Sequence, residues 1–375
     1  MITTFIIAFF AVFALLVIHE FGHFIIAKKC GVKVEEFGVG YPPRLFGKKI
    51  GETIYSVNLI PFGAFVRVAG EIDEEGSQEK GSGDLEDYRS FSKHPMWQRM
   101  FIVLGGVISF WLVSIVLLSI VSGVWGMPTA ISDDEADLAN SNVQIVGISK
   151  DSPADNSGIE VADIILGVKA SNEEIDDINR VSQVQEITKL HKGEELILTI
   201  KRGKDIKDIS ITPRISYPEG EGAMGIALAR IALKPCVWYQ APIEGVRLTW
   251  IMTSSVVEGW GMAIKSGLGI EELPAGVDFE MRGPLGIFDL LTEYVEMGAS
   301  YFLYLIALIS VALALANSLP IPALDGGKIV FLAIEAIRKK PVSPKFEQKI
   351  STFFFVALIL LMVYVTVRFD IPRIF

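Results

Sequence analysis

Four apolar segments, each of a length that suits a membrane-spanning helix, constrain this chain more than any other feature of its sequence. They occupy residues 2–27, 101–125, 300–319 and 352–367, and a hydrocarbon core of ~30 Å takes about 20 apolar residues in a helix. Over its 375 residues the chain is 51% hydrophobic, yet 21% charged with a net charge of −10. We therefore predict a polytopic α-helical membrane protein with about four transmembrane helices and a water-exposed domain. Nucleic-acid binding is not expected, because an acidic chain lacks a basic surface for phosphates.

The distribution of Lys and Arg predicts the orientation of these helices, because positive residues remain on the cytoplasmic side. Basic residues are concentrated in residues 28–49, after the first apolar segment, and in residues 338–349, before the fourth. Residues 127–142 are acidic and contain neither Lys nor Arg. We therefore predict a multi-pass protein of the inner (plasma) membrane, with both termini and residues 126–299 extracytoplasmic.

Residues 142–215 show the pattern of one compact α+β domain. VQIVGIS, ELILTIKRG and IKDISITPRI alternate as half-buried strands do, whereas VSQVQEITKL has helical periodicity. The stretch SPADNSGIEVADIILGV resembles the SPA-x-x-x-G-L-x-x-G-D-x-I-L segment of PDZ domains, with Ala162 at a usual glycine position and VKASNEE in place of a V-N-G turn. PDZ domains bind extended peptides by strand addition to a sheet edge, so the resemblance implies a peptide or protein ligand. A small β domain without a ligand is the alternative.

Residues 241–270 form a further apolar stretch, which charged residues interrupt, among them Glu244, Arg247, Glu258 and Lys265. A helix with such a polar face lies at a membrane surface or packs against other helices. We therefore predict an extracytoplasmic amphipathic helix that lies on the membrane or against the helical bundle, and not a fifth span.

The pentapeptide HEFGH lies inside the first apolar segment. His19 and His23 are one helical turn apart on the same face, close enough to bind one divalent metal, and Glu20 can reach water on that metal. This is the H-E-x-x-H arrangement of zinc hydrolases. Imidazole and carboxylate groups without partners are costly inside a membrane, which favours a functional site over a chance pentapeptide.

A catalytic zinc normally takes three protein ligands, so a third polar residue is expected at the same depth. NSLPIPALDGGKIVFLAIEAI supplies Asp325, after Pro320 and Pro322 interrupt an apolar segment. Irregular backbone at membrane depth is tolerated where it lines a cavity or is covered by protein. A helix N-cap is the alternative role for Asp325, and the two roles can coexist.

Together, HEFGH and ALDGG resemble the motifs of the site-2 protease family of intramembrane zinc metalloproteases. The resemblance extends over GVKVEEFGVGYPPRLFG, NLIPFGAFVRVAGE, FSKHPMWQRMFIVLGG, the single PDZ-like domain, RGPLGI and NSLPIPALDGG. It is greatest to the bacterial branch that cleaves anti-sigma factors and signal-peptide remnants. The chain departs from the family pattern in two places. LGGVISF has Gly106 and Ser109 at the Pro and Asn positions of the family's G-P-x-x-N-F. The chain also has one PDZ-like domain, where some relatives have two.

The resemblance implies an intramembrane zinc endopeptidase whose substrates are single-pass transmembrane proteins. It implies Zn²⁺ held by His19, His23 and Asp325, with Glu20 as the general base that activates zinc-bound water, and Asn317 in contact with the substrate backbone. Elementary chemistry agrees with these roles. Zinc lowers the pKa of its water towards ~7 and polarises the scissile carbonyl, while a carboxylate transfers the proton to the leaving amine.

ETIYSVNLIPFGAFVRV predicts two short strands around Pro61 and Gly63, as a membrane-associated β-hairpin or sheet. A helical substrate must unwind before its peptide bonds can be attacked. We hypothesise that the free edge of this hairpin pairs with the unwound substrate, with Phe62, Gly63, Ala64 and Phe65 as substrate-binding residues. A purely structural cytoplasmic hairpin is the alternative.

We divide the chain into four regions. They are residues 1–125 with the first transmembrane pair and the β region, 126–220 with the PDZ-like domain, 221–299 as an amphipathic helical linker, and 300–375 with the second transmembrane pair. Two other functions are considered. A catalytically inactive membrane-anchored binding protein would not need an intact HEFGH together with Asp325, and a transporter with a His and Asp ion relay predicts inverted repeats, which the sequence lacks.

Overall fold

The computed structural model describes residues 2–70, 89–134, 141–171, 173–203, 205–218, 220–234, 236–270, 281–340 and 342–374. Its helices are α1 (Ile2–Lys29), α2 (Met96–Val124), α3 (Pro153–Ser157), α4 (Val181–Leu190), α5 (Ala241–Gly267), α6 (Pro284–Met297), α7 (Ala299–Ser318), α8 (Asp325–Arg338), α9 (Pro344–Val365) and α10 (Ile371–Ile374). Its strands are β1 (Val34–Ile50), β2 (Thr53–Val68), β3 (Met127–Ile131), β4 (Asn142–Ile148), β5 (Ile164–Lys169), β6 (Glu174–Asp176), β7 (Leu196–Arg202), β8 (Asp205–Ile211) and β9 (Ile226–Lys234). A 3₁₀-helix covers Phe91–Lys93, and a π-helix, Thr366–Asp370, joins α9 to α10.

Four of the described helices are long and apolar enough to cross a membrane, which confirms a multi-pass membrane protein. These segments are Thr3–Lys29, Met96–Val124, Ala299–Ser318 and Lys345–Arg373. The fourth begins before the predicted residue 352 because its polar first turns are already helical. Hydropathy marks the apolar part of a helix, whereas the backbone hydrogen bonds continue into flanking polar residues.

Helices α1, α2 and α7 pack around a shared apolar core, together with α6. The buried members of this core are Ala8, Leu15, Val107, Phe110, Leu291, Leu305, Ile306 and Ala314. Helices α1 and α2 approach closely at Gly22 and Gly105, where a Cβ atom on either glycine would overlap backbone atoms of the other. This close approach holds the HEFGH motif against α2.

Helix α5 packs against the bundle, which is one of the two placements predicted for residues 241–270. Met252 lies in an apolar cluster with Leu118 of α2 and with Ala307 and Val311 of α7. The hydroxyl groups of Thr249 and Ser114 are 3.2 Å apart and hydrogen-bonded. Residues 271–280, which the predicted linker includes, lie outside the described part of the chain.

Strands β1 and β2 form an antiparallel hairpin that closes at Ile50 and Thr53. Residues 36–39 of β1 each have two partners, one in residues 54–57 and one in residues 64–67 of β2. The first part of β1 therefore lies between the two halves of β2. Within the described residues, 64–67 pair only with β1, so this part of β2 is an edge.

The domain that the sequence predicts to be extracytoplasmic, called the external domain below, has seven described strands in one sheet, with the order β3-β9-β4-β5-β7-β8 and with β6 paired with β5. Helix α4 packs on the core of this sheet through Val184 and Ile187. The other buried core residues are Val143, Ile145, Ala154, Ile159, Ile165, Val168, Ala170, Ile178, Leu196, Leu198, Ile200, Ile211 and Met224. The strands predicted from VQIVGIS, ELILTIKRG and IKDISITPRI are present as β4, β7 and β8.

The sheet continues past the predicted domain boundary at residue 220, because β9 pairs with both β3 and β4. The predicted helical linker, residues 221–299, therefore includes a strand of this sheet, whose partners lie far earlier in the chain. Ala162, at the position where PDZ domains usually have glycine, adopts φ = 79°. That left-handed conformation costs roughly 1–2 kcal/mol for a residue with a side chain. The turn is therefore retained with some strain.

Candidate metal centre

Three side chains from distant parts of the chain converge on one point. His19 Nε2 lies 3.3 Å from His23 Nε2, and Asp325 Oδ2 lies 3.2 Å from His19 Nε2 and 3.4 Å from His23 Nε2. His19 is buried, and His23 and Asp325 are partly buried. The structure thus brings together the three residues that sequence reasoning selected as ligands.

The spacing of these atoms fits a zinc ion. Zinc binds imidazole nitrogen and carboxylate oxygen at about 2.0–2.2 Å in a tetrahedron, which separates its ligand atoms by about 3.3 Å. The three observed separations, 3.2, 3.3 and 3.4 Å, agree with that value. Asp325 Oδ2 is also a buried atom without a hydrogen-bond donor among the described residues. A cation at this point would satisfy it.

The backbone of α2 sets the orientation of His23. His23 Nδ1 lies 2.8 Å from the carbonyl oxygen of Ile102, and because a carbonyl only accepts, Nδ1 carries the proton and donates it. The lone pair of the imidazole is then on Nε2, which faces His19 and Asp325. A hydrogen bond of this type fixes the tautomer and the ring direction of a metal-binding histidine.

The same face of α2 packs closely on both imidazole rings. A Cβ atom on Gly106 would overlap the rings of His19 and His23, and the Phe110 ring stacks on His19 with centroids 4.6 Å apart. The Ser109 hydroxyl donates to the Gly106 carbonyl at 2.6 Å. Ser109 occupies the Asn position of the G-P-x-x-N-F motif that this stretch resembles, and here its hydroxyl bonds to its own helix.

The irregular segment between α7 and α8 positions Asp325. Helix α7 ends at Ser318, and α8 begins at Asp325 with Leu324, not Asp325, as its N-cap residue. The capping alternative for Asp325 is therefore wrong. Gly326 and Gly327 approach backbone atoms of residues 318–322 where a Cβ atom would not fit. The two glycines allow this segment to fold tightly, and the tight fold directs Asp325 towards α1.

Glu20 lies beside the three ligands. Its carboxylate interacts electrostatically with both imidazoles and with Asp325, and also with Lys328 one turn further along α8. Tyr41 of β1 also interacts electrostatically with Glu20. Burial raises the pKa of the Tyr41 phenol, and the charge of Glu20 raises it further. Glu20 thus interacts both with the three converging side chains and with the β1–β2 sheet.

The predicted substrate-binding residues lie in two places. The Phe65 ring stacks near Tyr41 at 6.4 Å, and the exposed Phe62 ring contacts Phe9 of α1 at 6.0 Å. The edge containing Phe62, Gly63, Ala64 and Phe65 therefore borders the helix that carries HEFGH. Asn317 lies in the last turn of α7, where its amide group donates to the Leu313 carbonyl at 2.9 Å.

An ion pair between α2 and α8 is a further feature of the site that sequence reasoning missed. Arg99 binds Glu335 through two hydrogen bonds of 2.8 and 3.1 Å, and the two side chains are only 13% and 24% exposed. Arg99, Ile102, Gly106 and Phe110 recur every three to four residues, so they share one face of α2. The Gly-Gly pair within an apolar helix was the one sequence signal for this face.

A multi-pass membrane protein with a buried three-residue site that fits zinc, and with a carboxylate beside it, is of the class of membrane-embedded metallohydrolases. Comparison with known proteins gives the family. The profile of Peptidase family M50 matches residues 7–362.

Similarity to individual proteins covers nearly the whole chain. The chain is 31% identical over 363 residues to a putative zinc metalloprotease of Clostridium perfringens, with 97% of each chain covered. It is 26% identical over 452 residues to the zinc metalloprotease RasP of Oceanobacillus iheyensis, with 99% of this chain and 100% of the relative covered. It is 25% identical over 443 residues to the regulator of sigma-W protease RasP of Bacillus subtilis, with 99% of each covered.

The chain belongs to Peptidase family M50, the site-2 protease family. It is a zinc metalloprotease of the membrane, so the family, the enzyme class and the zinc cofactor predicted from HEFGH and ALDGG are confirmed.

Proposed function

We propose that this metalloprotease hydrolyses peptide bonds within the transmembrane segments of single-pass membrane proteins, including anti-sigma factors and signal-peptide remnants. The observation that carries the proposal is the position of the site: ligand atoms 3.2–3.4 Å apart come from the middle of one apolar helix and from a break between two others. A relative named as a regulator of sigma-W supports anti-sigma factors as a substrate class.

In this proposal His19, His23 and Asp325 hold the zinc ion, and Glu20 is the general base. When bound, zinc supplies a Lewis acid that polarises the scissile carbonyl and acidifies water. The Glu20 carboxylate accepts a proton from the attacking water and returns it to the leaving amine. The Ile102 carbonyl, through the proton on His23 Nδ1, keeps His23 Nε2 directed at the site.

The position of the motif in α1 supports cleavage in the cytoplasmic half of the bilayer. A helix rises ~1.5 Å per residue, so His19 lies about 14 Å and His23 about 8 Å from Lys28 along the axis. The excess of basic residues around Lys28 supports a cytoplasmic position for this end of α1. With that orientation both termini and residues 126–299 are extracytoplasmic.

The edge of β2 is the proposed binding surface for an unwound substrate strand. Residues 64–67 pair with β1 on one side only, within the described residues, and an edge strand offers free backbone donors and acceptors. Phe62, Gly63, Ala64 and Phe65 would contact the substrate there. Asn317, at the end of α7, would bind the substrate backbone through the polar atoms of its amide that Leu313 leaves unused.

Proline at this edge tests the strand-addition model, because proline removes a backbone donor and disrupts strand pairing. We expect Val66→Pro to abolish cleavage of a membrane-embedded substrate while the protein keeps its zinc. Val66→Ile, which retains the N–H group and the β-branched shape, is the matched control and should cleave normally. Unchanged cleavage by the proline variant would refute substrate pairing at this edge.

The external sheet supports a PDZ-like module that binds or screens what enters the membrane site. Its strands surround a single apolar core, and Ala162 retains the left-handed turn of the PDZ-like segment. We propose that this module contacts the extracytoplasmic part of a substrate that another protease has already shortened. Its ligand would be an extended peptide or protein segment.

Zinc content tests the ligand assignment without knowledge of a substrate. We expect about one zinc per wild-type molecule and much less in Asp325→Ala, because two imidazoles alone leave the site with too few ligands. Elemental mass spectrometry of purified protein measures this. Asp289→Ala, at an exposed position on α6, is the matched control and should retain zinc. Equal zinc in wild type and Asp325→Ala would exclude Asp325 as the third ligand.

A further inference from the structure

Strand β3 lies at the edge of the external sheet and has a strand partner on one side. It pairs with β9 from Met127 opposite Lys234 to Ile131 opposite Arg230. Thr129 and Ala130 are exposed, whereas the Ile131 side chain is buried, as the anchoring side chain of a bound peptide would be. Strand β3 follows α2 after only two residues, so it reaches the sheet from the membrane side. Its attachment resembles that of a peptide added to a sheet edge.

The residues after β3 end on the N-terminus of α4. The two carboxylate oxygens of Asp133 accept hydrogen bonds from the backbone N–H groups of Val181, at 3.0 Å, and Ser182, at 2.8 Å. A helix N-terminus favours an anion because its first N–H groups have no partner within the helix. Burial raises the pKa of Asp133, but the hydrogen bonds from Ser182 and Val181 lower it more, so it lies below its usual value.

Arg230 of β9 also binds the segment that follows β3. Its side chain is 1% exposed, and its guanidinium donates to the Ser132 carbonyl at 3.2 Å and to the Ser141 hydroxyl at 3.1 Å. Its positive charge also favours the ionised form of Asp133. An extended segment followed by a carboxylate is thus recognised by three features: the edge of β9, two backbone N–H groups of α4 and the buried positive charge of Arg230.

We infer that residues 127–133 are a built-in, displaceable occupant of a peptide-binding site formed by the outer edge of β9, the first turn of α4 and Arg230. The ligand of this site is an extended acidic peptide of a partner protein, with a carboxylate two residues after the paired stretch. The inference rests on the proposal that the external domain is a peptide-binding module. It adds where the ligand binds and what covers the site in its absence.

The occupant competes strongly because it is tethered. A segment on a short linker has an effective concentration on the order of mM, whereas a partner peptide competes at its own lower concentration. A separate peptide binds only to molecules whose site is open. Its apparent affinity is therefore its intrinsic affinity multiplied by the fraction of molecules with an open site. We therefore expect a free peptide to bind at least tenfold more tightly once residues 127–133 are displaced.

The test uses the full chain in detergent and a fluorescent peptide of sequence MPTAISDD, residues 127–134. The displaced variant is Thr129→Pro/Ala130→Pro/Asp133→Asn. Neighbouring strand residues direct their N–H groups to opposite sides, so one of the two prolines removes a donor to β9. Asp134→Asn is the matched control, and MPTAISND, which lacks the Asp133 carboxylate, is the control peptide. Anisotropy measures binding.

We expect the displaced variant to bind MPTAISDD at least tenfold more tightly than wild type or Asp134→Asn, and at least tenfold more tightly than MPTAISND. Equal binding by wild type, equal binding of the two peptides, or no binding by the displaced variant would each overturn the inference. Hydrogen exchange of β5 and β7 shows whether the variant domain is folded. Loss of protection from exchange in β5 and β7 would show that the domain needs β3 in order to fold. That result would also overturn the inference that residues 127–133 are displaceable. Zinc content of the same samples reports separately on the protease site.

Discussion

Replacement of Glu20 by glutamine is expected to reduce hydrolysis roughly 10²–10⁴-fold, the usual contribution of a general base, while the protein keeps its zinc. Glutamine has nearly the same shape as glutamate but cannot accept the proton of the attacking water. Glu20 is not one of the three converging ligand residues, so its replacement leaves the atoms that hold the metal in place. The variant thus separates the chemical step from metal binding.

The measurement is cleavage of a single-pass substrate in detergent, with the cut located by mass spectrometry and zinc determined on the same sample. Glu258→Gln, at an exposed position on α5, is the matched control and should cleave like wild type. A cut within the transmembrane segment supports intramembrane hydrolysis. Activity of Glu20→Gln close to that of wild type would exclude the general-base role.

Reversal of the Arg99–Glu335 pair is expected to lower zinc content and activity when one partner is changed, and to restore both when the two are exchanged. Arg99 is on the face of α2 that contacts both imidazoles, and Glu335 is on the helix that begins with Asp325. A charged group left without its partner costs about 1–3 kcal/mol, which corresponds to a factor of roughly 5–150 in an equilibrium. Here that equilibrium is the alignment of Asp325 with the two histidines.

Glu335→Arg and Arg99→Glu are the single variants, and Arg99→Glu/Glu335→Arg is the exchange. Lys169→Glu is the matched control, because Lys169 and Glu174 form a pair that is 56% and 52% exposed. Such exposed pairs contribute at most ~1 kcal/mol, so neither zinc nor activity should change. If the exchanged double variant remains as defective as the single variants, the pair does not act through its mutual attraction.

The prediction for the Arg99–Glu335 pair concerns how the chain aligns three side chains that are far apart in sequence. Ile102 orients His23, Gly106 allows both imidazole rings to pack closely on α2, and the ion pair connects α2 to the helix that carries Asp325. Helix α2 contributes none of the three converging side chains, yet it contacts both imidazole rings and binds α8. We therefore expect changes on this face of α2 to affect metal affinity more than changes on its lipid-facing side.

The amino-acid sequence by itself determined the four spans, the adjacency of His19 and His23, and the choice of Asp325. These follow from local rules: apolar length predicts a span, and a separation of four residues places two side chains on one helix face. Alternation predicted strands β4, β7 and β8 in the same way, whereas β3, β5, β6 and β9 were not predicted as strands. The hydrogen-bonding partners of β9 lie in β3 and β4, many residues earlier in the chain.

Only the tertiary structure decided which groups surround the ligands. His23 binds a carbonyl 79 residues away, and Arg99 binds Glu335 at a separation of 236 residues. Every residue has a backbone carbonyl, so the sequence does not reveal which one binds His23. The role of a glycine also becomes clear only when the group that packs against it is known. Likewise, Asp133 is one acidic residue among several until the fold brings it to the N-terminus of α4. Contacts of this kind depend on how helices and strands pack, which local sequence patterns do not encode.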